Sequence, residues 1–301
     1  MKNLSFKIGN VEFKNPVMTA SGTFGSGKEY VDFVDLNKLG AVVVKGVSKA
    51  AWIGNDTPRI AEVYGGMLNS VGLQNPGVDI FIKEDIPFLR QFDTKIVVNV
   101  CGHSLDEYIE VTESLTNADV DALELNISCP NVAEGCLSFG TDAKMVEKVV
   151  SSVKKVSKQP LIVKLTPNVT DITEIARASE IGGADAISLI NTITGMKIDI
   201  HKRKPILAKK MGGMSGPAIK PIAVRMVYQV SKVVNIPIIG MGGISNGDDA
   251  IEFILAGASG IAVGTANFIN PYATIDVLKG IEDYMDKYNI KDLKEIRGIV
   301  D

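Results

Sequence analysis

Cysteine is scarce. The 301 residues contain three, Cys101, Cys129 and Cys136, too few and too oddly spaced for a disulfide framework, and the two histidines do not complete a zinc site with them. No metal site is expected, and a reducing, cytoplasmic compartment fits best. Long apolar runs are also missing: no stretch approaches the ~18 uncharged apolar residues of a membrane span. Residues 1–10 alternate polar and apolar side chains without a signal-peptide core. The chain is therefore expected to be free of the membrane and unprocessed. Nor is there an excess of positive charge. The 32 Lys and Arg against 35 Asp and Glu leave a net charge of -3, which argues against nucleic acid or an anionic membrane as a partner, since both need a concentrated cationic face. A small acidic ligand is still allowed. What the chain does have is apolar content, 46 %, enough at this length for a large core.

Residues 4–8 and 11–13 alternate in period two around Gly9-Asn10, the pattern of a β-hairpin that would plug one end of the main fold. After it come short apolar runs at 16–20, 41–47, 96–100, 122–128, 161–166, 186–192, 236–240 and 260–263. Segments with helical spacing lie between most of them, at 28–39, 105–116, 142–158, 170–181, 217–233 and 248–256. Strands apolar on both faces and separated by helices imply a parallel sheet covered by helices, and a run of them in one chain of this length points to a single (β/α)8 TIM barrel spanning residues 1–301. A doubly wound open sheet is the alternative. It is weaker because no Gly-x-Gly-x-x-Gly follows the first strand with an acid further on. Two connections, 48–87 after the second strand and 193–216 after the sixth, are long enough to form lids or pocket walls on the C-terminal side of the barrel. The basic run His201-Lys202-Arg203-Lys204 in the second of them reads as a solvated face.

The chemistry collects at the strand ends. The run at 122–131 ends in Asn126-Ile127-Ser128-Cys129-Pro130-Asn131, placing a thiol where the strand stops. A free cysteine titrates at about 8.5, so Cys129 is the group here that could serve as base or nucleophile near neutral pH, although a lone cysteine is also commonly a small buried hydrophobe. Lys45, Asn99, Asn126, Lys164 and Asn191 each lie near the C-terminal end of an otherwise apolar strand. Buried amides and ammoniums are costly unless paired, so their convergence on one mouth implies a polar ligand. Gly242-Gly243 and Gly264-Thr265 end the last two strands, the usual barrel position for a phosphate held by backbone N–H groups. A phosphate there and lysines inside the mouth suit flavin mononucleotide (FMN), with Lys164 facing the pyrimidine edge of the ring. A sugar phosphate would also be admitted on these grounds.

Together with Lys45-Gly46 and the loop Asn69-Ser70-Val71-Gly72-Leu73-Gln74-Asn75-Pro76-Gly77, these motifs resemble the class 1 dihydroorotate dehydrogenases over nearly the whole chain. The early Ala20-Ser21-Gly22-Thr23-Phe24-Gly25 and the length look closest to subclass 1B, the catalytic FMN subunit of an NAD-linked bacterial enzyme of pyrimidine biosynthesis. The resemblance implies that Cys129 removes the C5 proton of dihydroorotate while the flavin takes a hydride from C6, giving orotate. It implies that Lys45, Asn69, Ser70, Val71, Gly72, Leu73, Asn126, Asn191 and Thr192 hold the substrate. It assigns Ser21, Lys45, Gly46, Asn99, Asn126, Lys164, Ile190, Gly216, Gly242, Gly243, Gly264 and Thr265 to FMN. Thr192 stands where serine is expected in many relatives, and the hydroxyl is kept. The implied partner is an iron–sulfur flavoprotein carrying FAD and a [2Fe–2S] cluster, joined to a homodimer of this chain in a heterotetramer. Cys101 and Cys136 read as unreactive. Rival readings are the fumarate-linked class 1A homodimer, the flavin domain of a dihydropyrimidine dehydrogenase, a tRNA dihydrouridine synthase and, from another class, a non-catalytic binding barrel. The acidic balance disfavours the RNA enzyme.

Overall fold

The computed structural model describes residues 2–128 and 139–301. The strands Val17–Thr19 (β1), Ala41–Val43 (β2), Lys95–Val100 (β3), Ala122–Asn126 (β4), Leu161–Lys164 (β5), Ala186–Leu189 (β6), Ile238–Met241 (β7) and Gly260–Val263 (β8) form a closed barrel in chain order, β8 pairing with β1. Every pairing is parallel. The expected (β/α)8 architecture is therefore present.

Strand alternation decides what faces the barrel axis. In β4, Leu123 and Leu125 join the core beneath the helices, whereas Ala122 belongs to a separate cluster with Met18, Val43, Val97, Ile162, Ile239 and Met241. That inner cluster also contains Phe6, Ile8 and Phe13 of the antiparallel hairpin Phe6–Ile8 and Val11–Phe13, so the hairpin fills one end of the barrel as its alternation suggested. Ala41, Ala122 and Ala186 open β2, β4 and β6, and their small side chains leave room for the stacked rings of Phe6 and Phe13, whose centroids are 4.9 Å apart. Alternation then carries Asn99, Glu124, Asn126, Lys164 and Ser188 to the same inner face, further toward the C-terminal ends of their strands.

The covering helices include Leu105–Leu115, Ala143–Val156, Ile172–Ile181, Lys220–Ser231 and Gly247–Leu255. Several begin on a side chain that satisfies a free N–H group of the first turn: Ser104 accepts from the Glu107 N–H, Asp142 from Met145 and Asn246 from Asp249. A further helix, Ala273–Lys287, follows β8 and is not among the helical segments read from the sequence. The helix expected over 28–39 does not form. That segment is a series of turns ending in the single 3-10 turn Leu36–Lys38. Gly25 and Gly27 enter it with positive φ (57° and 85°), Tyr30 stacks on Phe24 at 4.1 Å, and the Asp35 carboxylate accepts from the backbone and side chain of Asn37. Such local bonds compete with helical ones. Val34, Leu36 and Leu39 still reach the core, while Phe33 is left 47 % exposed.

The long connections do more than flank the mouth. Ile60–Val63 and Gly66–Asn69 from the first pair with Met211–Ser215 and Ile193–Met196 from the second in one four-stranded antiparallel sheet. Residues 78–89, between that sheet and β3, are helical and send Val78, Phe81, Ile86 and Leu89 into the core. Close approach of the two insertions requires glycine. A Cβ on Gly66 would lie 2.0 Å from the Ser215 carbonyl oxygen, and one on Gly216, whose φ is +108°, would lie 2.6 Å from the Gly66 Cα. Among the described residues, no helix is long and apolar enough to cross a membrane.

Truncating the hairpin tests the plug. Phe13→Ala is expected to destabilise the chain by about 3–5 kcal/mol in equilibrium urea unfolding, the cost of a fully buried aromatic side chain and its cavity. A change under about 1 kcal/mol would mean that the hairpin is not part of the core.

Candidate active site at the barrel mouth

The ends of β1, β3, β4 and β5 meet through their polar side chains. Asn99 of β3 donates its Nδ2 to the Glu124 Oε2 of β4 at 2.6 Å, and its Oδ1 accepts from the Asn126 Nδ2 at 3.3 Å. Asn126 lies in register with Lys164 of β5, whose Nζ donates to the Ser21 Oγ after β1 at 3.2 Å. Lys45, just past β2, donates its backbone N–H to the Gly25 carbonyl, which seats it against the loop after β1. Gly46 has no room for a side chain: a Cβ would stand 2.5 Å from the Cys101 Sγ and 3.2 Å from the Asn99 Oδ1. Thus Ser21, Lys45, Gly46, Asn99, Asn126 and Lys164, expected to share one mouth, do share it. Cys101 is closer to the chemistry than an inert cysteine would need to be, since its buried thiol donates to the Asn99 Oδ1 at 3.3 Å.

Asn126 is fixed at each end. Its carbonyl accepts the Tyr108 hydroxyl at 2.6 Å, and its Oδ1 accepts the Ser128 N–H at 3.3 Å. Ser128 in turn donates its hydroxyl to the Lys164 carbonyl at 3.3 Å. The chain is therefore held from β4 as far as Ser128. Cys129 itself lies outside the described residues, as do Pro130, Asn131 and Cys136.

A second group gathers at β6 to β8. Gly242 and Gly243 have positive φ (122° and 80°), and a Cβ on Gly243 would be 2.9 Å from the Gly216 carbonyl oxygen and 3.0 Å from the Lys220 amide nitrogen. Thr265 donates its hydroxyl to the Ser215 Oγ at 2.7 Å, and a Cβ on Gly264 would be 3.3 Å from the Ala20 Cβ. Ile190 is tied to β7 through the Met241 carbonyl and packs beside Gly242. Backbone from four segments, at 216, 220, 242–243 and 264–265, is thus drawn into one corner, which suits an anion held by main-chain N–H groups.

The insertions supply a third group. Asn69 donates its Nδ2 to the Gly213 carbonyl at 3.3 Å, and Gly213 leaves space for Thr192, whose Oγ1 would be 1.9 Å from a Cβ at that position. Asn191 accepts the Thr192 N–H at its Oδ1, and the Thr192 carbonyl accepts from the Asn168 Nδ2 at 3.0 Å. In the loop after Asn69, the Ser70 hydroxyl is buried with no hydrogen-bond partner among the described residues. Val71 is held by its carbonyl, which accepts the Asn55 N–H. Gly72 and Leu73 both take positive φ (77° and 52°), and Leu73 reaches over Gly46. Asn75 locks this shape. Its Nδ2 donates to the Leu73 carbonyl, while its Oδ1 accepts from the Gly77 N–H and from the backbone and hydroxyl of Ser48.

Glu124, Ser188 and Asn75 carry structural weight at the site that sequence reading does not assign. For Glu124 the signal was present, a carboxylate between two leucines in a buried strand. The Lys164 side chain is 7 % exposed and, among the described residues, the hydrogen bonding of its ammonium is limited to Ser21, so N–H capacity is left for a ligand inside the mouth. With the unpartnered Ser70 hydroxyl and the glycine-lined corner, the residues present fit a flavin phosphate and ring.

Comparison with known proteins places these features in a family. The family model described as "Dihydroorotate dehydrogenase" matches residues 3–285. The "Dihydroorotate dehydrogenase B (NAD(+)), catalytic subunit" of Alkaliphilus metalliredigens is 71 % identical over 296 residues, 98 % of each chain. The protein of the same name from Bacteroides thetaiotaomicron is 53 % identical over 302 residues, covering 100 % of each. Among solved structures, the crystal structure of DHODH from Eimeria tenella in complex with ferulenol superposes with a TM-score of 0.83 at 21 % identity, covering 99 % of this chain and 88 % of that one, a likeness of fold.

Lys45 gives the site a pH dependence. Burial lowers its ammonium from the ordinary 10.5, with Cys101 and Glu29 drawing it back up and Arg59 pushing it further down. The positive charge is complete below the lowered value and lost as pH rises through it. Affinity for orotate, the carboxylate product that the resemblance implies, should therefore begin to fall at a pH below the usual lysine range. Titration from neutral pH to about pH 10 checks this. An affinity that stays level over that whole range would remove Lys45 from anion binding.

Proposed function

The chain belongs to the dihydroorotate dehydrogenase family, and from this premise we propose that it oxidises dihydroorotate to orotate at the barrel mouth, as the FMN-binding catalytic subunit of an NAD-linked enzyme of pyrimidine biosynthesis. The observation that carries the reading is the meeting of Lys45, Asn99, Asn126 and Lys164, from four strand ends, beside a corner of main chain built from Gly216, Gly242, Gly243, Gly264 and Thr265. The family is flavin-dependent, and FMN is the flavin that this corner suits, because a terminal phosphate would meet main-chain N–H groups there while the ring edge would meet Lys164. We read the whole chain as one FMN-binding barrel.

Dihydroorotate is a carboxylated cyclic ureide. Lys45 offers its carboxylate a half-buried cation. Asn69, Asn126 and Asn191 present carboxamides that both donate and accept, matching the ureide's N–H and C=O groups. The Ser70 and Thr192 hydroxyls and the backbone at Val71, Gly72 and Leu73 complete the enclosure. The C5 proton lies next to a carbonyl, so a modest base within hydrogen-bond reach suffices to remove it, and Cys129 is assigned that role. Ser128, the residue before it in the chain, is fixed to Asn126 and Lys164. FMN, when bound, supplies the acceptor for the hydrogen and electron pair leaving C6. The sheet made by the two insertions helps to exclude water from the mouth.

The relatives' name, catalytic subunit, implies a partner subunit. We assign to it FAD and a [2Fe–2S] cluster that pass electrons to NAD, with two copies of each subunit in a cytoplasmic heterotetramer.

Two arms test this reading. Dihydroorotate-dependent NAD reduction is expected only when the chain is combined with its iron–sulfur partner, and fumarate reduction by the lone chain would place it in the other subclass. Cys129→Ser should slow flavin reduction at neutral pH by about 10²–10⁴-fold while flavin stays bound, since a hydroxyl is a far weaker base. An unchanged rate would take Cys129 out of the mechanism.

A further inference from the structure

Glu124 lies in the middle of β4 with its side chain inside the barrel and 2 % exposed. Proton abstraction from C5 does not use it. A buried carboxylate is costly unless it is paired, so its partners indicate its purpose. Asn99 Nδ2 donates to Oε2 at 2.6 Å, Ser188 Oγ donates to Oε1 at 2.7 Å, and the Lys164 Nζ lies 3.9 Å from Oε2. Because Asn99 gives its amino group to Glu124, its Oδ1 is turned to Asn126 and Cys101. Asn126 then gives its amino group to Asn99 and keeps its Oδ1 for the Ser128 N–H. One carboxylate thereby orients two carboxamides, and the main chain that leads to Cys129, in a single direction.

We propose that Glu124 is a positioning residue: it holds Asn99 and Asn126 in one orientation, aims Lys164 at the flavin's pyrimidine edge and, by offsetting the charge of Lys164, holds the flavin's reduction potential below the value Lys164 alone would set. The inference rests on the flavin reading of the site. A positive charge at that edge favours reduced flavin, which carries more negative charge there, and a carboxylate behind the lysine opposes this within a poorly screened interior. A lower potential suits a flavin that must pass its electrons on toward NAD.

The test is the midpoint potential of the flavin-loaded protein, measured by equilibration with reference dyes. Glu124→Gln keeps the shape and removes the charge. It is expected to favour the reduced flavin by at least about tenfold, a rise of about 30 mV for a two-electron couple. Glu124→Asp keeps the charge and is expected to stay within about threefold of the parent. A Glu124→Gln protein that holds flavin at the parent potential would overturn the proposal. Should that variant fail to fold, Glu124→Gln combined with Lys164→Met removes both charges and is expected to restore folded, soluble chain. A double variant as unfolded as the single would show that the two charges are not paired. A parent protein that binds no flavin would instead refute the reading of the site, an outcome distinct from either.

Discussion

Charge in a barrel interior is the constraint on which the rest of this structure depends. The alternation of β3 to β6 sends Asn99, Glu124, Lys164 and Ser188 to the inner face, where unpaired polar groups cost several kcal/mol each. They are tolerated because they pair with one another across strands, with Asn99 and Ser188 on the Glu124 carboxylate and Lys164 at 3.9 Å from it. Below them the barrel is apolar, filled by Met18, Val97, Ile162 and the hairpin's Phe6, Ile8 and Phe13. The polar layer therefore rests on a packed floor, and its unused hydrogen-bonding capacity, notably that of Lys164, points the other way, into the mouth.

The insertions answer a second requirement, that of enclosing what the mouth binds. Each contributes a pair of antiparallel strands to one shared sheet. Met211–Ser215 joins Ile193–Met196 of its own insertion and Gly66–Asn69 of the other, so the walls above β2 and β6 are one body. Glycines at 66, 212 and 216 make that contact possible, and the same pairing brings Asn69 to the vicinity of Thr192. Substrate recognition and lid architecture thus share residues, so a change at Gly213 would reach Thr192 directly. The Ser215–Thr265 hydrogen bond extends the coupling to the phosphate corner.

Much of this was legible in the sequence because the signals are local. Doubly apolar strands, helical spacing and the plug hairpin each announce themselves within about ten residues, and Lys45, Asn99, Asn126 and Lys164 stand out as polar residues in apolar runs. What escaped was set by partners far along the chain. Asn69 meets Gly213 across 144 positions, and Ser188 meets Glu124 across 64. No periodicity in either segment foretells such pairings. Glu124 stood out as clearly as its neighbour Asn126, yet its use depends on strand register. The stretch 28–39 failed for the opposite reason: its helical spacing was real, but positive-φ glycines and Asp35 supplied nearer partners for the backbone.

The central claim is that these strand ends hold FMN where dihydroorotate can reduce it. Anaerobic titration of the purified, FMN-loaded chain with dihydroorotate measures this directly, through the visible absorption of the flavin. Dihydroorotate is predicted to bleach the band, with one flavin per chain and orotate released. A colourless chain that cannot be reconstituted with FMN, or a flavin band unmoved by excess dihydroorotate, would contradict it.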